Sequence, residues 1–195
     1  MVAYSFDKIL ARGIRAGQIP ARTRDAREWY RDTAQATRVA PNAVMKGEAT
    51  KLVSRPLIGR MYLFNYDPKM KKTLPYYDRF PLIFQVGPAQ GGFMGINMHY
   101  LPYQFRAILM DRLYDLVSNK KYDESTRLRV SYNILKSASR YKYFKPTLKR
   151  YLNEHVRSRF LQIDSVEWDI ALFLPIERFT KKTKEVAWRD SRRAI

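Results

Sequence analysis

The chain has 195 residues, with 37 lysines and arginines against 18 acidic residues and a formal net charge of +19. Hydrophobic residues make up 46% and aromatic residues 14%, which is enough for a core and excludes a wholly disordered basic protein. No cysteine and only two histidines are present, which excludes disulfides and thiolate chemistry and argues against a metal site. No stretch approaches the roughly 20 apolar residues that cross a bilayer. We therefore expect a folded cationic protein with no metal, no cofactor and no membrane partner.

The N-terminal 56 residues predict an arginine-rich helical arm followed by a linker. Residues 21–38 have good helix propensity, and Trp29 and Tyr30 are their only large apolar side chains. Such a helix would lie on a partner, or on its own domain, through this one aromatic anchor. Residues 40–56 contain two prolines and a glycine without a sustained period, which is typical of a linker.

Residues 57–195 predict an α+β domain built on a small antiparallel sheet or open barrel. The second and third strands are separated by a short loop with glycine and proline, so they should form an antiparallel hairpin. Apolar and smaller or polar residues alternate along the third strand, which indicates one buried face. The strands are expected near 60–66, 81–86, 92–100 and 168–174.

A helical region is predicted between the third and fourth strands, over residues 102–160, and helices flank the sheet. Apolar residues recur every three or four positions after Pro102. A second helix is expected to begin at Asp123 or Ser125, and a third would run from Pro146 to Phe160 with a basic outer face. A terminal helix is predicted at 175–191.

The positive charge is concentrated in two segments. Residues 1–60 hold 12 basic and 5 acidic side chains and residues 123–163 hold 10 and 3, so each segment carries a net charge of +7. An excess of this size favours a polyanionic partner, either nucleic acid or an acidic protein surface, over a merely solvated face.

In the second basic segment, lysines and arginines alternate with tyrosine and phenylalanine. The cations would neutralise phosphates and the rings would stack on bases, without sequence preference. The alternative is that the rings belong to the core and the charges are only solvated. The candidate nucleic-acid-binding residues are Arg127, Arg129, Arg140, Lys142, Lys145, Lys149, Arg150, Arg157 and Arg159.

A rigid connection between Pro75 and Pro81 presents two adjacent tyrosines. It could dock a partner or stack on exposed bases, or it could pack over one end of the sheet. With the arm it supplies the candidate partner-binding residues: Arg22, Arg24, Arg27, Trp29, Tyr30, Arg31, Tyr76 and Tyr77.

No pattern of catalytic residues stands out. His99 beside Asp67 or Asp78 could be imagined as a general base, but no serine or cysteine nucleophile accompanies it. The acidic residues are sparse for two-metal nuclease chemistry, although a nuclease that uses Asp67 or Asp78 stays a third hypothesis. The glycines form neither a P-loop nor a dinucleotide fingerprint. We expect no enzyme and no small-molecule substrate.

Three runs carry a family resemblance: GRMYLFNYDPK at 59–69, LPYYDRFPLIF at 74–84 and GFMGINMHYLP at 92–102. With YDESTR at 122–127 and WRDSR at 188–192, they resemble virion proteins of contractile-tailed bacteriophages, most of all the DNA end protector family. The resemblance covers roughly residues 59–192.

The resemblance implies a non-enzymatic structural and assembly protein that binds packaged DNA or its ends during head completion and head-tail joining. Its partners would be other phage virion proteins and linear double-stranded DNA, and it would be found in the virion and, during assembly, in the host cytoplasm. The alternative is a tail or baseplate subunit that binds neighbouring proteins through its basic arm.

Overall fold

Within residues 6–19, 23–117, 133 and 145–194, which the computed structural model describes, the strands form two antiparallel sheets. A six-stranded sheet has the order β1-β7-β2-β4-β5-β6, and β3 pairs with β8 in a small second sheet. The edge positions of β1 and β6 leave the larger sheet open. The strands are β1 (Leu52–Val53), β2 (Met61–Leu63), β3 (Tyr77–Asp78), β4 (Leu82–Ala89), β5 (Gly92–Asn97), β6 (Leu148–Leu152), β7 (Phe160–Ile163) and β8 (Phe179–Thr180).

Helices of the described residues pack on one face of this sheet. Thr23 caps the second helix because its side chain accepts a hydrogen bond from Ala26 N at 3.1 Å, and Pro41 begins the third. The helices are α1 (Phe6–Arg15), α2 (Arg24–Ala36), α3 (Pro41–Gly47), α4 (Tyr103–Val117), α5 (Trp168–Phe173) and α6 (Lys184–Arg193). The predicted α+β class is confirmed, with an antiparallel sheet and no closed barrel among these residues.

Successive side chains of a strand point to opposite faces of the sheet, and this alternation produces two separate apolar layers. In β2, Met61 and Leu63 face the helices and join the main core, whereas Tyr62 points to the opposite side. That opposite side, called here the aromatic face, is a buried cluster formed by Tyr62, Phe64, Tyr66, Ile83, Phe93, Tyr151 and Phe160.

The segment between β6 and β7 is hydrogen-bonded to the chain that follows β2. Asp67 N donates to His155 O at 3.0 Å, and Arg157 N donates to Asn65 O at 2.8 Å. Tyr66 Oη accepts from Leu152 N at 3.1 Å and so links the chain after β2 to the end of β6. These bonds join the chain after β2 to the end of β6 and to the segment between β6 and β7, next to the aromatic face.

The N-terminal helices share the main core with the sheet. Phe6, Tyr30 and Ala34 are buried in the same apolar cluster as the residues of β2 and α5. Arg31 lies 2.7 Å from Asp169 of α5 and 2.8 Å from Asp111 of α4. Residues 6–19 and 23–47 are thus packed on the rest of the described structure, while the division of the chain at residue 56 stays a prediction.

A fully buried arginine joins α4 to the C-terminal segment. Arg106 Nη2 lies 2.6 Å from Glu177 Oε1, and its other nitrogens donate to Leu101 O at 2.8 Å and Leu172 O at 2.6 Å. Trp188 Nε1 donates to His99 O at 2.8 Å, which attaches α6 to the residues after β5. Among the described residues, no helix combines the length and apolar character needed to cross a bilayer.

Two of the predicted elements are wrong in type. The strand predicted at 168–174 is helix α5, and all six of its residues are buried, so no alternation marks it. The helix predicted from Pro146 to Phe160 contains strand β6 and a single turn at Asn153–His155, because the backbone of β6 pairs with β5 rather than with itself.

Other boundaries differ from the predictions. Strands β4 and β5 lie where the hairpin was expected, but residues 98–100 turn away as a 3₁₀ helix instead of extending the strand. The terminal helix begins at Lys184, since residues 175–183 contain β8. The predicted linker 40–56 contains α3 and β1. The helix predicted after Asp123 or Ser125 lies outside the described residues, apart from position 133.

Candidate nucleic-acid interface

A cavity of about 470 Å³ opens beside β6, at one end of the aromatic face. We call it the tyrosine pocket, because five tyrosines from three distant parts of the chain contribute to its wall. Its lining residues are Tyr66, Pro68, Lys69, Met70, Leu74, Pro75, Tyr76, Tyr77, Asp78, Asn97, Tyr100, Lys149, Arg150, Tyr151 and Leu152.

A buried hydrogen-bond network forms the floor of the tyrosine pocket. Asp78 Oδ2 lies 2.7 Å from His99 Nδ1 and accepts from Asn97 Nδ2 at 3.1 Å. The same amide donates to Tyr151 Oη at 3.1 Å, and Asp78 Oδ1 accepts from Phe80 N at 3.0 Å. These bonds direct the carboxylate of Asp78 into the protein, so the floor is rigid.

Tyrosine rings form the walls. Tyr76 stacks on Tyr100 with ring centres 6.0 Å apart, and Tyr66 meets Tyr151 edge to face at 5.0 Å. Burial raises the pKa of each of these four phenols, so they stay neutral near pH 7 and keep their hydrogen-bond donors. Tyr77, from β3, is half-buried. The walls therefore present apolar ring surface together with neutral hydroxyl groups.

Three cations surround this aromatic surface. Lys149 shares the aromatic side of β6 with Tyr151, two residues away, and its Nζ lies 4.2 Å from the centre of the Tyr100 ring. Burial lowers the pKa of the Lys149 ammonium. Arg150 and Lys69 are exposed, and Arg150 Nη2 donates to Gln90 O. The pocket thus combines positive charge with aromatic surface.

The structure brings together only some of the predicted nucleic-acid-binding residues. Lys149 and Arg150 line the pocket, and Lys145 is exposed in the turn just before β6. Arg157 is exposed, 3.8 Å from Asp67. Arg159 instead donates to Leu52 O, beside the opposite edge strand β1. The other four candidates, Arg127, Arg129, Arg140 and Lys142, lie outside the described residues.

Two predicted partner-binding residues of the arm are buried within the protein. The ring of Tyr30 belongs to the main core, and its hydroxyl donates to Gln18 O at 2.8 Å. The Arg31 side chain is 8% exposed and pairs with Asp169 and Asp111. Burial and these partners correct the expectation that both side chains face another molecule.

The remaining arm candidates lie nearer the surface. Arg24 is exposed and pairs with Glu28 at 2.9 Å, while Arg27 lies 3.8 Å from Asp111. Trp29 is half-buried, with the Arg12 guanidinium 6.0 Å from its ring centre. Arg22 lies outside the described residues. Tyr76 and Tyr77 were partner-binding candidates because they lie in the rigid connection between Pro75 and Pro81. Both line the tyrosine pocket.

The acidic and histidine candidates for catalysis do not converge. His99 is fully buried against Asp78, whereas Asp67 is on the surface and lies 2.9 Å from Lys71 Nζ. In the part of the chain that the structure describes, no three metal-ligating side chains come together. Asp67 and Asp78 therefore do not form a common site there.

Sequence reasoning missed Lys69, Asn97 and Tyr151 as pocket residues. Lys69 follows a proline turn, and Tyr151 reads as the inner face of a helix when β6 is taken as helical. No local signal places 66–78, 97–100 and 149–152 together, because strand pairing between distant segments brings them into contact.

The match to a known family includes all of these segments. Residues 2–192 match the model of the family described as Phage T4 terminal DNA protecting protein. No curated protein and no solved structure gives a significant match. The family resemblance inferred for residues 59–192 is confirmed, and the match extends it through the N-terminal helices. The chain belongs to the Phage T4 terminal DNA protecting protein family.

Proposed function

We propose that this protein is a non-enzymatic structural protein of a phage particle that binds the ends of packaged linear double-stranded DNA during head completion and head-tail joining. One observation carries the proposal. In a chain of this family, Lys69, Lys149 and Arg150 meet at a pocket with tyrosine walls. Phosphates attract such cations, and base faces stack on such rings.

The charge of the whole chain supports a DNA partner. A net charge of +19 raises the local concentration of a polyanion and speeds its encounter with the protein. Contacts of this kind release counterions, so binding to DNA should weaken as salt rises, whatever the base sequence. Near β6, the exposed Lys145 and Arg157 lie where they would contact phosphates outside the pocket.

The tail or baseplate alternative has less support. It requires the arginine-rich arm to reach a neighbouring subunit through its aromatic anchor. Tyr30 is buried in the main core, and Arg31 is neutralised by Asp169 and Asp111. These two residues stabilise the protein's own fold and leave less of the arm for a partner.

Competition binding tests the function. A labelled linear duplex is bound at about 0.1 M salt and challenged with unlabelled linear fragments or closed circles of equal mass. We expect linear fragments to compete better, in proportion to their number of ends, and bound protein to slow digestion of the duplex by an exonuclease. Equal competition by circles would contradict end binding, and absence of binding at this salt would contradict a DNA partner.

A further inference from the structure

The tyrosine pocket is too small for a duplex. Cavities of roughly 300–1,000 Å³ hold single small molecules. At about 470 Å³ the pocket has room for one nucleotide. It has none for a base-paired helix, whose major groove alone is about 12 Å wide. DNA can therefore use the pocket only through a nucleotide that has left the stack, which is easiest where a strand ends.

The wall of the pocket offers a surface for one base. Tyr76 and Tyr100 are already engaged with each other, and Phe179 packs edge-on against both rings. Tyr77 lines the pocket and, among the described residues, its ring packs against no other aromatic ring. Its half-exposed ring is thus the one free to stack on an inserted base.

The cations point to the chemical class of the phosphate. Lys149 is half-buried, with its Nζ 4.2 Å from the centre of the Tyr100 ring, and the exposed Lys69 and Arg150 also line the pocket. A half-buried ammonium with further cations around the same pocket matches a phosphate monoester, which carries a charge of about −1.5 to −2 near pH 7. Phosphates within a DNA strand are diesters with a single charge, so a monoester marks a strand terminus.

We infer that the tyrosine pocket takes the terminal nucleotide of a DNA strand, with its base stacked on Tyr77 and its terminal phosphate monoester bound by Lys149. This inference rests on the proposed function. It goes further because it assigns end recognition to one pocket and one chemical group.

Hairpin DNA with one open end tests the inference, with that end carrying a 5′ phosphate, a 3′ phosphate or hydroxyls only. We expect one of the two phosphates to improve binding about tenfold over hydroxyls. Lys149→Gln should remove this preference. The matched control Lys46→Gln, which removes an exposed lysine on α3 that does not line the pocket, should retain it.

Substitutions of Tyr77 test the proposed stacking of the terminal base on its ring. Tyr77→Ala should weaken binding of every open end about tenfold, whereas Tyr77→Phe keeps the ring and should bind as the wild type does. Thermal unfolding of each variant shows whether it is folded. In the wild type, 5-bromodeoxyuridine at the terminal position should crosslink to residues 66–78 or 149–152, and the same base placed internally should not.

The outcomes distinguish the assignment of the terminal nucleotide to the tyrosine pocket from the more general proposal that the protein binds DNA ends. If wild-type protein binds phosphate and hydroxyl ends equally, or if terminal crosslinks map only outside these segments, the pocket assignment is overturned. End binding would still stand if open hairpins outcompete DNA closed at both ends. If fully closed DNA competes equally well, the proposed function itself is overturned.

Discussion

Arg106 and Glu177 form an ion pair with both side chains completely buried. The guanidinium compensates for its lost hydration with three main-chain carbonyls in addition to the carboxylate. Lys184 Nζ lies 3.7 Å from the other oxygen of Glu177. Burial by itself would raise the pKa of Glu177, but Arg106, His99 and Lys184 outweigh it and the pKa is lowered.

Glu177→Gln should therefore change both the stability and its dependence on pH. Near pH 7 it leaves a buried arginine without its carboxylate, which costs about 3–5 kcal/mol. Because the pKa of Glu177 in the folded protein is below its ordinary value of 4.5, the ionised carboxylate stabilises the fold at pH values above 4.5. This contribution disappears as the pH falls through the folded-state pKa of Glu177. Urea unfolding at a series of pH values should thus show a smaller loss on acidification for Glu177→Gln than for wild type. If the unfolding free energies of wild type and Glu177→Gln fall in parallel with pH, the protonation of Glu177 does not change on unfolding.

The pairing of β5 with β6 depends on a glycine. Gly92 lies opposite Leu152, and a Cβ atom at this position would overlap the carbonyl oxygen of Tyr151. Because the obstacle is backbone, a side-chain rotation cannot relieve it. Strand β6 would have to move away from β5, and it carries Lys149 and Arg150 into the pocket.

Gly92→Ala should consequently reduce stability by about 1–3 kcal/mol and weaken DNA end binding. Gly87→Ala is the matched control on β4, since a Cβ there meets nothing within 4 Å. Thermal unfolding and hairpin binding of both variants provide the measurement. If the two alanine variants behave alike, the close approach at Gly92 does not position β6.

Sequence patterns predicted the elements whose partners are near in the chain. The hairpin of β4 and β5 has a short loop and alternating residues, and α4 has apolar residues at helical spacing. Strand β6 was missed because its apolar spacing also fits a helix, and its partner β5 lies more than 50 residues earlier. Helix α5 was missed because it is buried all round, although Asp164 and Glu167 before it form a capping box.

The distance between partners in the chain also explains why only some residues of the tyrosine pocket were predicted. Lys149, Arg150, Tyr76 and Tyr77 were candidates because their residue types suit nucleic acid, and no pattern indicated that they share one pocket. Arg31 was misassigned because its partner Asp169 lies 138 residues away. A local window shows the charge of an arginine but not a distant carboxylate that neutralises it.

At the scale of the whole molecule, the N-terminal helices should behave as part of the fold. The bond after Arg31 lies in a helix that is packed on α5, so trypsin should cut it only after the helix leaves its packed position. We expect the bonds after Arg27 and Arg31 to survive limited digestion of the native protein and to be cut at once in the denatured chain. Rapid cleavage at both bonds under native conditions would show a detached arm instead.

The size of the tyrosine pocket also bears on how many copies of the protein one genome can engage. A surface that follows the phosphate backbone binds along the whole length of DNA, so its occupancy grows with the number of base pairs. A cavity of about 470 Å³ that takes one terminal nucleotide with its phosphate is filled once at each end of a linear duplex, by the strand that carries the preferred phosphate there. Occupancy of the pocket would then be fixed by the two ends of a linear molecule and would be independent of genome length.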